Sequence, residues 1–89
     1  MKVQLAPELI AKLKKQDVRI QNSFKKAIDL FSKEPTNSEL NNHDLHREWE
    51  GFKSIDITAD WRAIYQEVGE GGESLAYFVA LGTHSQLYK

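Results

Sequence analysis

The stretch WRAIYQEVGEGGESLAYFVAL, residues 61–81, decides the fold. Its first part, WRAIYQEV, is rich in the aromatic and β-branched residues that favour strands. The glycines of GEGGE, which begins at Gly69, are typical of a hairpin connection. SLAYFVAL is almost continuously apolar, as expected for a strand at the centre of a sheet. The stretch therefore predicts two antiparallel strands joined by a flexible connector.

A third strand is predicted just upstream, in the segment FKSIDI. Residues alternate between the two faces of a strand, so Ile55 and Ile57 share one face while Ser54 and Asp56 share the other. Residues 58–60, Thr-Ala-Asp, make a plausible turn into the next strand.

The N-terminal part of the chain predicts a short strand followed by two helices. An extended start at residues 2–5 is ended by Ala6-Pro7, and proline suits the first helical position. After a break near Gln16-Asp17, large apolar residues recur at helical spacing from Ile20 to Phe31. The order indicates one α+β domain over residues 1–89: an N-terminal strand, a two-helix hairpin, then three antiparallel strands that form a small sheet packed on the helices.

Length and composition exclude several classes of protein. With 89 residues, 40% hydrophobic and 28% charged, the chain has room for one globular domain. It has no cysteine, which excludes disulfides and thiolate metal sites. No apolar run approaches the roughly 18 residues of a membrane span, and the start MKVQLAPEL lacks the apolar core of a signal peptide. We therefore expect a cytoplasmic protein with no membrane partner.

The net charge of −1 is unevenly distributed along the chain. Residues 1–34 contain eight Lys or Arg and four acidic residues, a net charge of +4, whereas residues 35–89 carry a net charge of −5. A basic half can face nucleic acid or an acidic protein. Two solvated helix faces are the ordinary alternative, which charge alone favours.

A small set of polar residues follows or precedes the predicted strands. Histidine titrates near neutral pH, so His43 and His84 can serve as base and acid in one reaction. The Arg62 guanidinium matches a phosphate, and Asp60 can orient an imidazole. Tyr88 can stack on a base. This set suits RNA cleavage by an internal 2′-hydroxyl, a reaction that requires neither a metal ion nor a cofactor.

Each of these residues also has an ordinary structural explanation. His43 in a polar loop before the sheet can cap a turn, and Asp60 is a common turn residue. Arg62 can lie along the sheet surface, and His46 is expected to be solvated. His84 is the hardest to explain structurally, because it follows Gly-Thr with little apolar context. Taken one by one, the residues favour structural roles narrowly over chemistry.

In combination, four segments resemble the RelE/ParE toxin superfamily. They begin at His43 (HDL), Trp49 (WEGFKS), Asp60 (DWRAIY) and Leu81 (LGTHSQLY). The order looks closest to the YafQ-like, RelE/StbE-type mRNA interferase toxins of type II toxin–antitoxin systems. The detailed match runs from His43 to the C-terminus, and the helical hairpin agrees in architecture only.

The resemblance implies a bacterial cytoplasmic toxin that a cognate antitoxin holds inactive in a hetero-oligomer. Once released, such toxins enter the ribosomal A site, cut mRNA there and inhibit translation. The expected partners are therefore the antitoxin, mRNA on the ribosome and ribosomal RNA, which the basic helical half would contact.

The resemblance also assigns roles to individual residues. His84 looks like the general acid of the family, although the residues themselves leave open which histidine is acid and which is base. Relatives have a histidine where this chain has Asp56, and some have an arginine where it has Ala80. These departures bear on rate and ribosome affinity more than on fold. The implied catalytic residues are His43, Asp60, His84 and Arg62, and the implied substrate-binding residues are Tyr88, Asp56 and Lys53.

Two other functions are compatible with the same family. A ParE-like toxin inhibits DNA gyrase by binding, and an inactive relative only binds antitoxin. The gyrase function does not need the set of His43, Asp60 and His84, so the set favours the nuclease.

Overall fold

The computed structural model describes residues 1–88; Lys89, the last residue of the predicted domain, lies outside this range. Short 3₁₀ turns at Ser38–Leu40 and Arg47–Trp49 flank the second strand. The strands and helices in chain order are β1 (Lys2–Leu5), α1 (Pro7–Lys14), α2 (Val18–Lys33), β2 (His43–Asp44), β3 (Lys53–Asp56), β4 (Trp61–Glu70), β5 (Glu73–Thr83) and α3 (His84–Leu87).

The strands form one mixed sheet in the order β1-β5-β4-β3-β2. β1 is parallel to β5, and the other neighbouring strands are antiparallel. The predicted α+β fold is confirmed, with two elements that the sequence did not predict, β2 and α3. The placement of His43 in a loop before the sheet is wrong, because its backbone pairs with Ser54 of β3.

The helices begin where the sequence predicts. Pro7 starts α1, and the predicted break before α2 is confirmed at Asp17, whose carboxylate accepts a hydrogen bond from the backbone N–H of Arg19 at 2.7 Å. This N-cap bond satisfies a donor that the first turn of a helix leaves unpaired. The same bond lowers the pKa of Asp17, because it favours the ionised carboxylate.

The hairpin between β4 and β5 is tighter than the predicted five-residue connector. Gly71 and Gly72 alone make the turn, with φ of 59° and 84°. Positive φ at both central residues matches the twist of the flanking strands and strongly favours glycine. The strands therefore extend into the GEGGE segment, and the hairpin they form contributes the two longest strands of the sheet.

One face of the sheet packs against the helices and forms the core. Phe31 of α2 meets Tyr65 and Phe78 edge-on, with ring centroids 4.9 and 5.3 Å apart. The Tyr65 hydroxyl donates a 2.9 Å hydrogen bond to Asn42 Oδ1, while burial raises the pKa of Tyr65. We call this side the helix-packed face; its sheet residues include Ile55, Ala63, Tyr65, Ala76, Phe78 and Leu81. None of the helices found in residues 1–88 has the length and apolar character of a membrane span.

Candidate active site

A row of residues crosses the sheet on the side opposite the core. Ser54 pairs with His43 of β2 on one side and with Ile64 of β4 on the other, and Ile64 pairs with Ala80 of β5. Paired residues on neighbouring strands project from the same face. His43 therefore shares a face with Ser54, Ile64 and Ala80, and we call it the α3 face.

The C-terminal segment folds back over this face. Thr83 begins α3 with a capping box, in which its side chain and that of Gln86 each bond the other's backbone N–H. Beyond the helix, the Tyr88 hydroxyl donates to Ser54 Oγ at 3.1 Å. Trp49 Nε1 donates to the Leu87 carbonyl at 3.1 Å. These two bonds hold Tyr88 beside the row that contains His43.

His84 and Asp60 meet at the start of α3. The His84 backbone N–H donates to the Asp60 carbonyl at 3.0 Å. The His84 and Tyr88 rings pack edge-on with centroids 4.7 Å apart, one helical turn from each other. Both His84 and Asp60 are exposed to solvent. The structure thus brings together three of the predicted residues, His84, Asp60 and Tyr88.

The His43 ring is oriented by the backbone beside it. Its Nδ1 lies 2.7 Å from the carbonyl oxygen of Asn41, which adopts a left-handed conformation with φ of 48°. A carbonyl only accepts hydrogen bonds, so Nδ1 carries the proton and the neutral ring has its lone pair on Nε2. His43 is exposed at the edge of the sheet, so its ring is open to solvent.

Arg62 is engaged largely within the protein. Its Nη1 donates to three carbonyl oxygens, those of Thr58, Ala59 and Trp61, at 2.9, 3.1 and 3.1 Å. Its Nε lies 2.9 Å from Asp56 Oδ1, and its side chain is only 17% exposed. The guanidinium therefore stabilises the turn before β4. Its predicted contact with phosphate stays a prediction.

Asp56 is paired to Arg62 by charge rather than by a directed hydrogen bond. Although the two charged atoms are 2.9 Å apart, Asp56 Oδ1 has no hydrogen-bond partner within residues 1–88. The opposite charge compensates for the burial of that oxygen. Asp56 therefore helps to hold the Arg62 side chain at the turn before β4. Its predicted contact with substrate stays a prediction.

Lys53 lies on the other side of the sheet. It pairs in register with Tyr65, so its side chain leaves the helix-packed face near the sheet edge. There it contacts Glu67 at 3.2 Å and Asp44 at 3.9 Å. The hydrogen bond to Glu67 raises the pKa of Lys53. The structure does not bring Lys53 to His84, and its role in substrate binding stays a prediction.

Sequence reasoning missed two residues that build the site. Ser54 is fully buried and accepts the Tyr88 hydrogen bond, yet the resemblance marks it only as the last residue of the segment WEGFKS and assigns it no role. Trp49, the first residue of the same segment, also has no role assigned by the resemblance, and it holds the end of α3. No group of three or more His, Cys, Asp or Glu side chains suited to a metal ion occurs within the described range.

Comparison with known proteins places the chain among small bacterial toxins. Residues 8–89 match the family described as bacterial toxin of type II toxin–antitoxin system, YafQ. A comparison with curated proteins gives no match.

Solved structures share the fold over almost the whole chain. A YoeB/ParE toxin from Agrobacterium tumefaciens has a TM-score of 0.74 at 21% identity, covering 94% of this chain and 99% of that one. YafQ from E. coli strain BL21(DE3) has a TM-score of 0.71 at 20% identity, covering 99% and 98%. The E. coli DinJ–YafQ complex matches with a TM-score of 0.69 at 21% identity, covering 99% and 98%. At these identities the similarity demonstrates a common fold.

Proposed function

The chain belongs to the YafQ family of bacterial toxins of type II toxin–antitoxin systems, and on that premise we propose that it is a ribosome-dependent endoribonuclease. It cleaves mRNA in the ribosomal A site until a cognate antitoxin binds it. A structure of similar fold is described as the E. coli DinJ–YafQ toxin–antitoxin complex, which supports an antitoxin partner in a hetero-oligomer. The site of action is the bacterial cytoplasm.

The observation that carries this proposal is the arrangement on the α3 face. His43 is paired with Ser54, Ser54 is bonded to Tyr88, and Tyr88 packs on His84. Two exposed imidazoles thus lie on the α3 face with Ser54 and Tyr88 between them, and RNA cleavage through the 2′-hydroxyl needs a base and an acid on one phosphodiester.

The orientation of His43 favours it as the base. Nε2 of His43 removes the proton from the 2′-hydroxyl, and the resulting oxygen attacks the adjacent phosphorus. Protonated His84 then gives its proton to the leaving 5′ oxygen as the phosphorus–oxygen bond breaks. The products are a 2′,3′-cyclic phosphate and a free 5′-hydroxyl. Asp60, whose backbone carbonyl accepts the N–H of His84, helps to position His84, and Tyr88 stacks on a base.

The basic helices supply the contact with ribosomal RNA. The exposed cations of α1, α2 and the residues between them include Lys14, Lys15, Arg19, Lys25 and Lys26. Binding through phosphate contacts of this kind weakens as salt concentration rises.

The test is cleavage of mRNA by the purified protein on translating ribosomes. We expect truncated mRNA ending in a 2′,3′-cyclic phosphate, and no cleavage where a 2′-deoxynucleotide replaces the target. His84→Ala should reduce the rate by about 10²–10⁴-fold. The matched control is Ser85→Ala, an exposed neighbour in the same short helix, which should cleave normally.

Two results would contradict the proposal. If His84→Ala folds, binds antitoxin and still cleaves at the wild-type rate, the acid–base mechanism is wrong. If the wild type leaves mRNA intact but alters DNA supercoiling, the protein is a gyrase inhibitor of the ParE type. A protein that binds antitoxin and leaves growth unaffected is an inactive relative.

A further inference from the structure

A cavity of about 300 Å³ adjoins the candidate active site at the end of α3. It shares Tyr88 with that site, and its volume lies at the lower end of the range of about 300–1,000 Å³ for ligand pockets. Its lining residues are His46, Arg47, Glu48, Trp49, Leu87 and Tyr88. The mechanism proposed above uses none of these except Tyr88.

The aromatic residues of the cavity are fixed by contacts with the protein. Trp49 donates its indole N–H to the Leu87 carbonyl at 3.1 Å and packs edge-on against Phe52 at 5.5 Å. The Tyr88 hydroxyl is bonded to Ser54. Because both polar groups already have partners, the rings offer a ligand their faces and edges. Fixed aromatic surfaces of this kind stack on nucleobases with little dependence on sequence.

Arg47 supplies a positive charge at the same cavity. Its side chain makes no hydrogen bond or ion pair with any residue in the described part of the chain, in contrast to Arg62. Arg47 also has φ of 60°, a backbone conformation that few residues other than glycine adopt. A guanidinium whose donors are not used internally can bind a phosphate through two of them at once.

The neighbouring acids make Arg47 necessary for binding an anion there. Glu48 also lines the cavity, and Glu50 lies 3.7 Å from Nδ1 of His46. Without Arg47, these carboxylates would repel a phosphate.

We propose that this cavity is a nucleotide subsite for the RNA strand, in which a base stacks on Trp49 and Tyr88 while Arg47 binds its phosphate. The inference rests on the proposed function and extends it by naming the residues that hold a nucleotide beside the cleavage site.

The test follows the two indole N–H resonances by NMR while a 2′-O-methyl RNA trinucleotide is added. This probe cannot be cleaved, because its 2′ oxygens carry no proton. The Trp49 resonance should shift, and that of Trp61 should not, because Trp61 belongs to the other side of the sheet. Arg47→Gly should weaken binding about tenfold, since a charged hydrogen-bond donor is lost. The slope of log affinity against log salt should fall by about 0.7.

Two variants serve as controls. Lys2→Gln removes an exposed cation at the far edge of the sheet and should leave binding unchanged. Arg47→Asn also removes the charge but tolerates a positive φ, so it repeats the test if the glycine variant fails to fold.

Binding that does not shift Trp49, or that is equally tight in Arg47→Gly or Arg47→Asn, would overturn the subsite. Failure of the wild type to cleave mRNA while Trp49 still reports binding would overturn the proposed function instead.

Discussion

The two faces of the sheet are built in different ways. On the helix-packed face, Phe31, Tyr65 and Phe78 form a close cluster of rings among apolar side chains. On the α3 face, single hydrogen bonds to Ser54 and from Trp49 hold the C-terminal segment in place. The difference indicates that stability resides mainly on the first face and chemistry on the second. Substitutions on the two faces should therefore have separable effects.

The largest effect is expected from Phe31→Ala. This ring is fully buried, and its removal leaves a cavity between α2 and the sheet. We expect a loss of about 3–5 kcal/mol in the free energy of unfolding, measured with urea. Val18→Ala, at a position 63% exposed, should cost less than about 0.5 kcal/mol. A loss below about 1 kcal/mol in Phe31→Ala would mean that the core is not where the rings meet.

A smaller effect is expected from Tyr65→Phe, and it depends on pH. At neutral pH, loss of the hydrogen bond to Asn42 should cost about 1–2 kcal/mol. Burial raises the pKa of Tyr65 above its ordinary value of about 10, so the folded state favours the neutral phenol. Its contribution is fully present below the unfolded pKa and is lost as pH rises through the folded pKa.

Urea unfolding from about pH 8 to about pH 11 measures this difference. The raised pKa of Lys53, which reflects its hydrogen bond to Glu67, acts in the same direction in both proteins. The stability of the wild type should therefore fall more steeply with pH than that of Tyr65→Phe. Parallel curves would show that the phenol does not titrate differently on folding.

The smallest effect on stability is expected on the α3 face. Ser54→Ala and Tyr88→Phe each remove the same hydrogen bond, so each should cost about 0.5–1.5 kcal/mol. The double variant should lose little more than either single one, because the two residues share one interaction. Additive losses would show that Tyr88 is not bonded to Ser54 in solution. We also expect mRNA cleavage to fall in both variants by more than their stability explains.

The sequence predicts the helix-packed face well, because the spacing of apolar residues along the chain follows directly from which side chains are buried. The spacing of Phe24 and Phe31 and the alternation around Ile55 both place apolar residues in the core, and the structure confirms them. The pairing of His43 with Ser54 could not be predicted, because a two-residue strand has no periodicity of its own.

The contacts of the charged residues could not be predicted from the sequence either. Arg62 follows a turn whose carbonyls it binds, a geometry that depends on how residues 58–61 fold. Lys53 faces away from the candidate site because strand register, rather than residue type, sets its side. The motif assigns the site to one region of the chain, and tertiary structure decides which side chains of that region remain available.

The central claim is that His43 of β2 and His84 of α3 act on one phosphodiester at the α3 face. The most direct measurement compares the single-turnover rate of mRNA cleavage in His43→Ala, His84→Ala and the double variant. Residues that act as a unit are strongly non-additive, so we expect the double variant to be about as slow as the slower single variant. If the two losses multiply, the histidines act independently and the claim is contradicted.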